Sequence, residues 1–113
     1  MLSLQMQAGD ISPVVALTLL DQVGQPVNLN PFVSLTFRMV GVKDGWVQIN
    51  NVDAIKAQDD DDPETFGQVF YQWTSTDTAR AGLYQCWFLF DGGSGVTHYP
   101  IGEKLYVLID PSP

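Results

Sequence analysis

A chain of 113 residues, 45% hydrophobic and 16% charged, holds one core and leaves no room for a second, so residues 1–113 read as one domain. Its net charge of −8 sets thirteen acidic residues against five scattered basic ones (Arg38, Lys43, Lys56, Arg80, Lys104). That excludes the basic patch that a nucleic acid or an anionic membrane surface requires.

Leu2, Leu4 and Met6 alternate with Ser3, Gln5 and Gln7, the period of a strand with one buried face. This N-terminus has neither the basic start nor the apolar stretch of a signal peptide, and no run nears the roughly 18 apolar residues of a spanning helix. Ile11-Ser12-Pro13 ends the strand. Residues 14–20 form a second, with Val15, Leu17 and Leu19 on one face, and Asp21 to Pro26 supply a turn before a short edge segment, Val27-Asn28-Leu29. Val33, Leu35, Phe37 and Met39 then alternate with Ser34, Thr36 and Arg38. Lys43-Asp44-Gly45 is a hairpin turn, and Trp46 to Ala57 reads as one weaker strand. Gln58 to Pro63 is a loop by charge and proline, followed by a strand over Thr65–Trp73.

After the corner Thr74–Thr78, Gly82-Leu83-Tyr84-Gln85-Cys86 carries the Gly-x-Tyr-x-Cys spacing of strand F in an immunoglobulin-like sandwich, where the tyrosine hydroxyl bonds the backbone of the corner before it. The strand runs on to Phe90. Asp91 to Gly95 is a Gly-rich hairpin loop, and Val96–Tyr99 and Lys104–Asp110 close the domain around Pro100-Ile101-Gly102, leaving the tail Asp110-Pro111-Ser112-Pro113. Seven to eight short strands with turn signals roughly every ten residues and no convincing helix make an all-β, antiparallel, immunoglobulin-like β-sandwich. Cys86 is the only cysteine, so the inter-sheet disulfide of secreted relatives of that architecture is absent, which fits a reducing compartment.

Chemistry is thinly provided. His98 is the only histidine, and nothing sets Ser94 or Cys86 beside it with an oxyanion pocket, so no catalytic residues and no cofactor are assigned. Asp59-Asp60-Asp61-Asp62 with Glu64 is the densest charge, but its spacing lacks the alternating ligands and central glycine of a calcium loop. A solvated loop that protects a sheet edge explains it equally well, and no metal ligand is assigned.

Strand parity is more informative. If Tyr84 and Cys86 face the core, so do Phe88 and Phe90, while Leu83, Gln85, Trp87 and Leu89 face away. In the preceding strand Val69, Tyr71 and Trp73 share one face and Phe66, Gln68, Phe70 and Gln72 the other. Both strands are thus apolar on two sides, which a sheet buried on one side does not need. Another element of the chain, a protein partner or a sugar stacked on the aromatics can cover the second face. The expectation is a protein interface formed by Val69, Tyr71, Trp73, Leu83, Trp87 and Leu89. The alternative is a carbohydrate-binding module contacting host surface glycans.

Several phrases point to a family when taken in order. They are Gly9-Asp10 before a strand, Leu20-Asp21-x-x-Gly24-x-Pro26-Val27-Asn28-Leu29, Phe37-Arg38-Met39, Gly67-Gln68-Val69-Phe70-Tyr71-x-Trp73, Asp77-Thr78 with Gly82-x-Tyr84, and Tyr99-Pro100. Over about residues 8–110 the chain resembles the N-terminal domain of tailed-phage baseplate upper proteins and their short stand-alone relatives in phage structural modules. The acidic run Asp59–Asp62 is longer than that pattern. The resemblance implies an immunoglobulin-like sandwich without catalytic residues. It further implies a virion structural protein assembled in the bacterial host cytoplasm, as a tail, baseplate, neck or capsid-decoration component. Its implied partners are other phage structural proteins and copies of itself.

Overall fold

The computed structural model describes residues 2–12 and 14–111. Met1, the expected strand-breaker Pro13, and Ser112 and Pro113 of the tail lie outside the described residues. Among the described residues nine strands follow one another: β1 Leu2–Gln7, β2 Val15–Thr18, β3 Ser34–Gly41, β4 Val47–Asp53, β5 Ile55–Lys56, β6 Gln68–Tyr71, β7 Gly82–Asp91, β8 Val96–Tyr99 and β9 Leu105–Asp110. The larger sheet has the order β1-β9-β7-β3-β4, with β8 also on β7, and the smaller has the order β2-β6-β5. The molecule is an all-β sandwich.

Ten-residue β7 organises the larger sheet. One flank pairs antiparallel with all of β3, from Ser34↔Asp91 to Gly41↔Tyr84. The other takes β9 along Gly82–Cys86 and β8 along Phe88–Asp91. β8 and β9 run in one direction along that flank, so they act as a single strand interrupted at residues 100–104, where Pro100 has no N–H to give the ladder.

Two expectations about pairing are corrected. The sandwich is not wholly antiparallel, because β1 lies parallel to β9 in the register Leu2↔Leu105 to Gln7↔Asp110. Trp46–Ala57 is not one strand either. β4 leaves the larger sheet at Asp53, Ala54 donates to Leu35 O at 3.0 Å, and β5 joins the smaller sheet on β6. The crossing follows two register shifts against β3 and a positive φ at Asn51, which turn the chain before it changes layer. Val27–Leu29 forms no strand; Val27 N donates to Leu19 O at 2.9 Å and Leu29 is fully buried. Val33 precedes β3 and is exposed, so only Leu35, Phe37 and Met39 of that alternation enter the core.

The two layers meet on Phe37. Its ring stacks on Tyr71 of the smaller sheet (4.5 Å between centroids) and meets Phe88 and Trp73 edge-on at 5.0 and 5.8 Å. This pile fixes the parity of β6, with Val69, Tyr71 and Trp73 inward. Tyr84 Oη donates to Arg80 O at 2.8 Å, closing the corner before β7 as the sequence spacing predicts.

The loop side of the smaller sheet hangs on one buried polar side chain. Gln58 Oε1 accepts from Leu29 N (2.8 Å) and Gly67 N (3.2 Å), and its Nε2 donates to Asn28 Oδ1 (2.9 Å) and Asp60 O (2.8 Å). Gly67 sits in the left-handed region at φ +79°, where an added Cβ would meet Leu19 O at 2.6 Å, so only glycine lets these chains approach.

Tyrosine burial gives the fold a defined alkaline limit. Burial, then the hydrogen bond from its hydroxyl to Asp77 Oδ2 (2.7 Å), pushes the Tyr71 pKa up. Burial raises those of Tyr84, Tyr99 and the Cys86 thiol as well. A pKa raised in the folded state means the native chain holds its proton where the unfolded chain has lost it. The stabilisation is therefore complete below the unfolded values, about 8.5 for cysteine and about 10 for tyrosine, and is lost as pH rises through and beyond them. Urea midpoints are expected to fall from about pH 9 upward. Tyr71→Phe, which cannot ionise, is expected to flatten the part of the slope above about pH 10; an unchanged slope would remove Tyr71 from the account.

Candidate functional site: the outer face of the larger sheet

Alternation along β7 sends Tyr84, Cys86, Phe88 and Phe90 into the core and Leu83, Gln85, Trp87 and Leu89 to the outer face. The cross-strand register then sets the neighbours: Leu83 opposite Leu108, Gln85 opposite Tyr106 and Val40, Trp87 opposite Arg38, and Leu89 between Thr36 and His98. Val42 joins them from the turn after β3, where its N–H donates to Leu83 O at 2.9 Å. Leu83, Leu108 and Val42 remain 42, 37 and 48% exposed, an unusual amount for three adjoining aliphatic side chains on a sheet. With Ser3, Gln5 and Tyr106 they line a groove of about 420 Å³.

Of the six residues expected at an interface, Leu83 and Trp87 lie on this face with accessible surface. Leu89 belongs to the same face but is only 8% exposed. Val69, Tyr71 and Trp73 are a correction. They are core residues at 2, 3 and 2% exposure, held there by the stack on Phe37, and do not belong to any surface. The outward side of β6 is the opposite set, in which half-buried Phe70 lines a groove of about 410 Å³ with Val14, Ala16 and Leu17. Sequence reasoning missed Val42, Tyr106 and Leu108. The available signal was in the last strand, where Leu105, Val107 and Ile109 alternate with Tyr106 and Leu108, so that it too is apolar on both sides.

The other candidates separate in space. Cys86 points into the core and is fully buried, while His98, in register with Leu89, lies on the outer face, so the sheet itself stands between thiol and imidazole. Burial also raises the Cys86 pKa, which keeps the thiol protonated and unreactive. The acidic run is tied into the loop. Asn30 Nδ2 donates to Asp60 O and Asp61 Oδ1, and Asp62 Oδ1 accepts from Glu64 N at the start of a 3-10 turn, Pro63–Thr65. Among the described residues no group of three or more His, Cys, Asp or Glu is placed to hold a metal ion.

Among the described residues the three tryptophans of the sugar reading have different surroundings. Trp73 is in the core, Trp87 is half-buried opposite Arg38, and the exposed Trp46 ring is capped by the Arg80 guanidinium at 4.3 Å, itself held by Asp44 at 2.8 Å. No protein-family model matches the chain, and no curated protein matches it.

Proposed function

We propose that this chain is a non-enzymatic structural module that docks through the outer face of its larger sheet into a symmetric assembly, a bacteriophage particle. The observation that carries the reading is the adjoining Leu83, Leu108 and Val42 at the outer face of the larger sheet, left open around a groove of about 420 Å³. Burying one such side chain contributes roughly 1.5–3 kcal/mol before association costs, and repeated copies turn a weak contact into lasting attachment. The net charge of −8 keeps undocked copies soluble.

An immunoglobulin-like architecture supports the phage assignment through the resemblance already described. The order β1-β9-β7-β3-β4 opposite β2-β6-β5 suits the variable type, with an added strand beside the central three. The Tyr84 corner bond belongs to the same architecture. The position in the particle (tail, baseplate, neck or capsid surface) follows from whichever structural protein is found against this face.

In cells producing the particle, the tagged chain is expected to sediment with assembled virions. The double variant Leu83→Glu/Leu108→Lys, which sets opposite charges on two cross-strand surface positions, is expected to remain in the soluble fraction with an unfolding midpoint close to the parent's. Virions that carry the double variant as fully as the parent, or that never carry the parent, would overturn the proposal.

A further inference from the structure

Among the described residues the larger sheet has unpaired edges at β1, β4 and β8, and they differ; β8 pairs only with β7 and is four residues long. β4 is interrupted by Asn51 at φ +55° and by its register shifts against β3, the devices that blunt an edge against pairing. In the smaller sheet β2 has four residues and β5 two, including Lys56. β1 is six residues long, regular and uncharged, and among the described residues no strand lies on its far side.

We propose that this free edge of β1 pairs antiparallel with β1 of a second copy, about a two-fold axis at Leu4, joining the two larger sheets into one. The interaction uses backbone groups of the sheet edge and does not depend on the phage reading, although the Ser3 and Gln5 side chains also border the docking groove.

The hydrogen-bond directions select this arrangement. Leu2 N donates to Lys104 O (2.9 Å) and Ala8 N to Asp110 O (2.8 Å), so the even residues of β1 face β9 and Ser3, Gln5 and Gln7 face outward. Gln7 is already occupied: its carbonyl accepts from Asp10 N at 3.0 Å and its N–H donates to Asp10 Oδ2 at 3.3 Å. Ser3 and Gln5 keep an outward N–H and an outward C=O each. With Leu4 opposite Leu4 of the second copy, Ser3 exchanges both bonds with Gln5 across the axis and Gln5 does the same with Ser3. All of these outward groups then find partners and none is left over.

Side chains agree with that register. β1 alternates apolar and polar, so a two-fold normal to the sheet places Leu2, Leu4 and Met6 of both copies on one side and Ser3, Gln5 and Gln7 on the other. On the apolar side, Leu2 and Leu4 are only half-buried and border a groove of about 170 Å³ with Val14, Ala16 and Leu17. A second β1 covers it. Two copies of net charge −8 repel elsewhere, and an uncharged strand is the edge at which they approach most easily.

Sedimentation equilibrium across a concentration series is expected to show a monomer–dimer equilibrium. Amide exchange at Ser3 and Gln5 is expected to slow as the dimer fills. Ser3→Pro removes an outward donor and leaves the bonds to β9 intact, since proline is tolerated on an edge strand whose N–H faces solvent. It is expected to weaken the dimer by at least about tenfold while leaving the unfolding midpoint of the dilute protein unchanged. A wild-type chain that stays monomeric with fast exchange at Ser3 and Gln5 overturns the proposal, whether or not the variant folds. So does a dimer that Ser3→Pro leaves intact, or an edge filled only by an extended peptide of another protein.

Discussion

Phe37→Ala is expected to lower unfolding stability by about 3–5 kcal/mol, the usual range for emptying a buried aromatic site. The site is placed for a loss at the upper end. Phe37 is fully buried and holds three ring contacts at once, with Tyr71 and Trp73 across the layer and Phe88 within its own sheet. Each such ring pair contributes about 0.5–1.5 kcal/mol beyond area burial, and the hole left between two sheets cannot close by moving one side chain. Domains of this size have only about 5–15 kcal/mol in total, so the variant should unfold at far lower urea. Equilibrium urea unfolding reads this directly. A midpoint close to that of the parent would mean that the layers do not meet on Phe37.

The second large effect is expected from a polar residue. Gln58→Leu keeps the volume but leaves the buried amides of Leu29 and Gly67 without an acceptor, and each orphaned group costs about 1–3 kcal/mol. The expected loss is thus about 2–6 kcal/mol, with the Asn28–Asn30 and Asp59–Gly67 segments gaining amide exchange first. Gln58→Glu separates acceptor from donor function. It keeps an oxygen for both amides but faces Asn28 Oδ1 and Asp60 O with a second oxygen where the amide nitrogen donated. That carboxyl donates only when protonated, so its folded pKa lies above the unfolded value of about 4.3. Its stability should recover as pH falls toward that value and be lost as pH rises through the folded pKa. A Glu variant indifferent to acid would show that the two donor bonds contribute little.

What the sequence revealed and what it hid have a common physical origin. Strands with a single apolar face were legible: Leu2–Gln7 and the Leu35, Phe37, Met39 set appear where period-two alternation put them, and the Tyr84 bond to Arg80 lies where the Gly-x-Tyr-x-Cys spacing put it. β6 was not, because Val69-Tyr71-Trp73 and Phe66-Phe70 are both apolar sets, and only contact with Phe37 decides which turns inward. The split of Trp46–Ala57 was hidden for a related reason. Ala54 is no breaker, and the change of layer is imposed by Leu35 and β6 on either side. Gln58 reads as loop from its acidic neighbours, since a buried glutamine has no signature apart from the chains it joins. Half of the candidate interface failed with the parity of β6. The outward placement of Leu83 and Trp87 was fixed locally by Tyr84, one and three residues away. Val42, Tyr106 and Leu108 entered only through pairing between distant segments.

The parallel pairing of β1 with β9 also bears on how the chain reaches this state. The earliest strand has its place beside the latest, Leu2 against Leu105, so no amount of local ordering completes the sheet while the C-terminal segment is missing. During synthesis β3 and β4 can form a hairpin, but β7, the other neighbour of β3, follows much later, and β1 waits longer still. Such non-local closure makes for slow folding, in the millisecond-to-second range of β-sandwiches. It also leaves an uncharged strand with one apolar face unpaired throughout elongation, when the nascent chain is most open to wrong partners. Under vectorial synthesis the acidic character of the remaining chain therefore acts early, as mutual repulsion between nascent copies before any of them has a finished sheet.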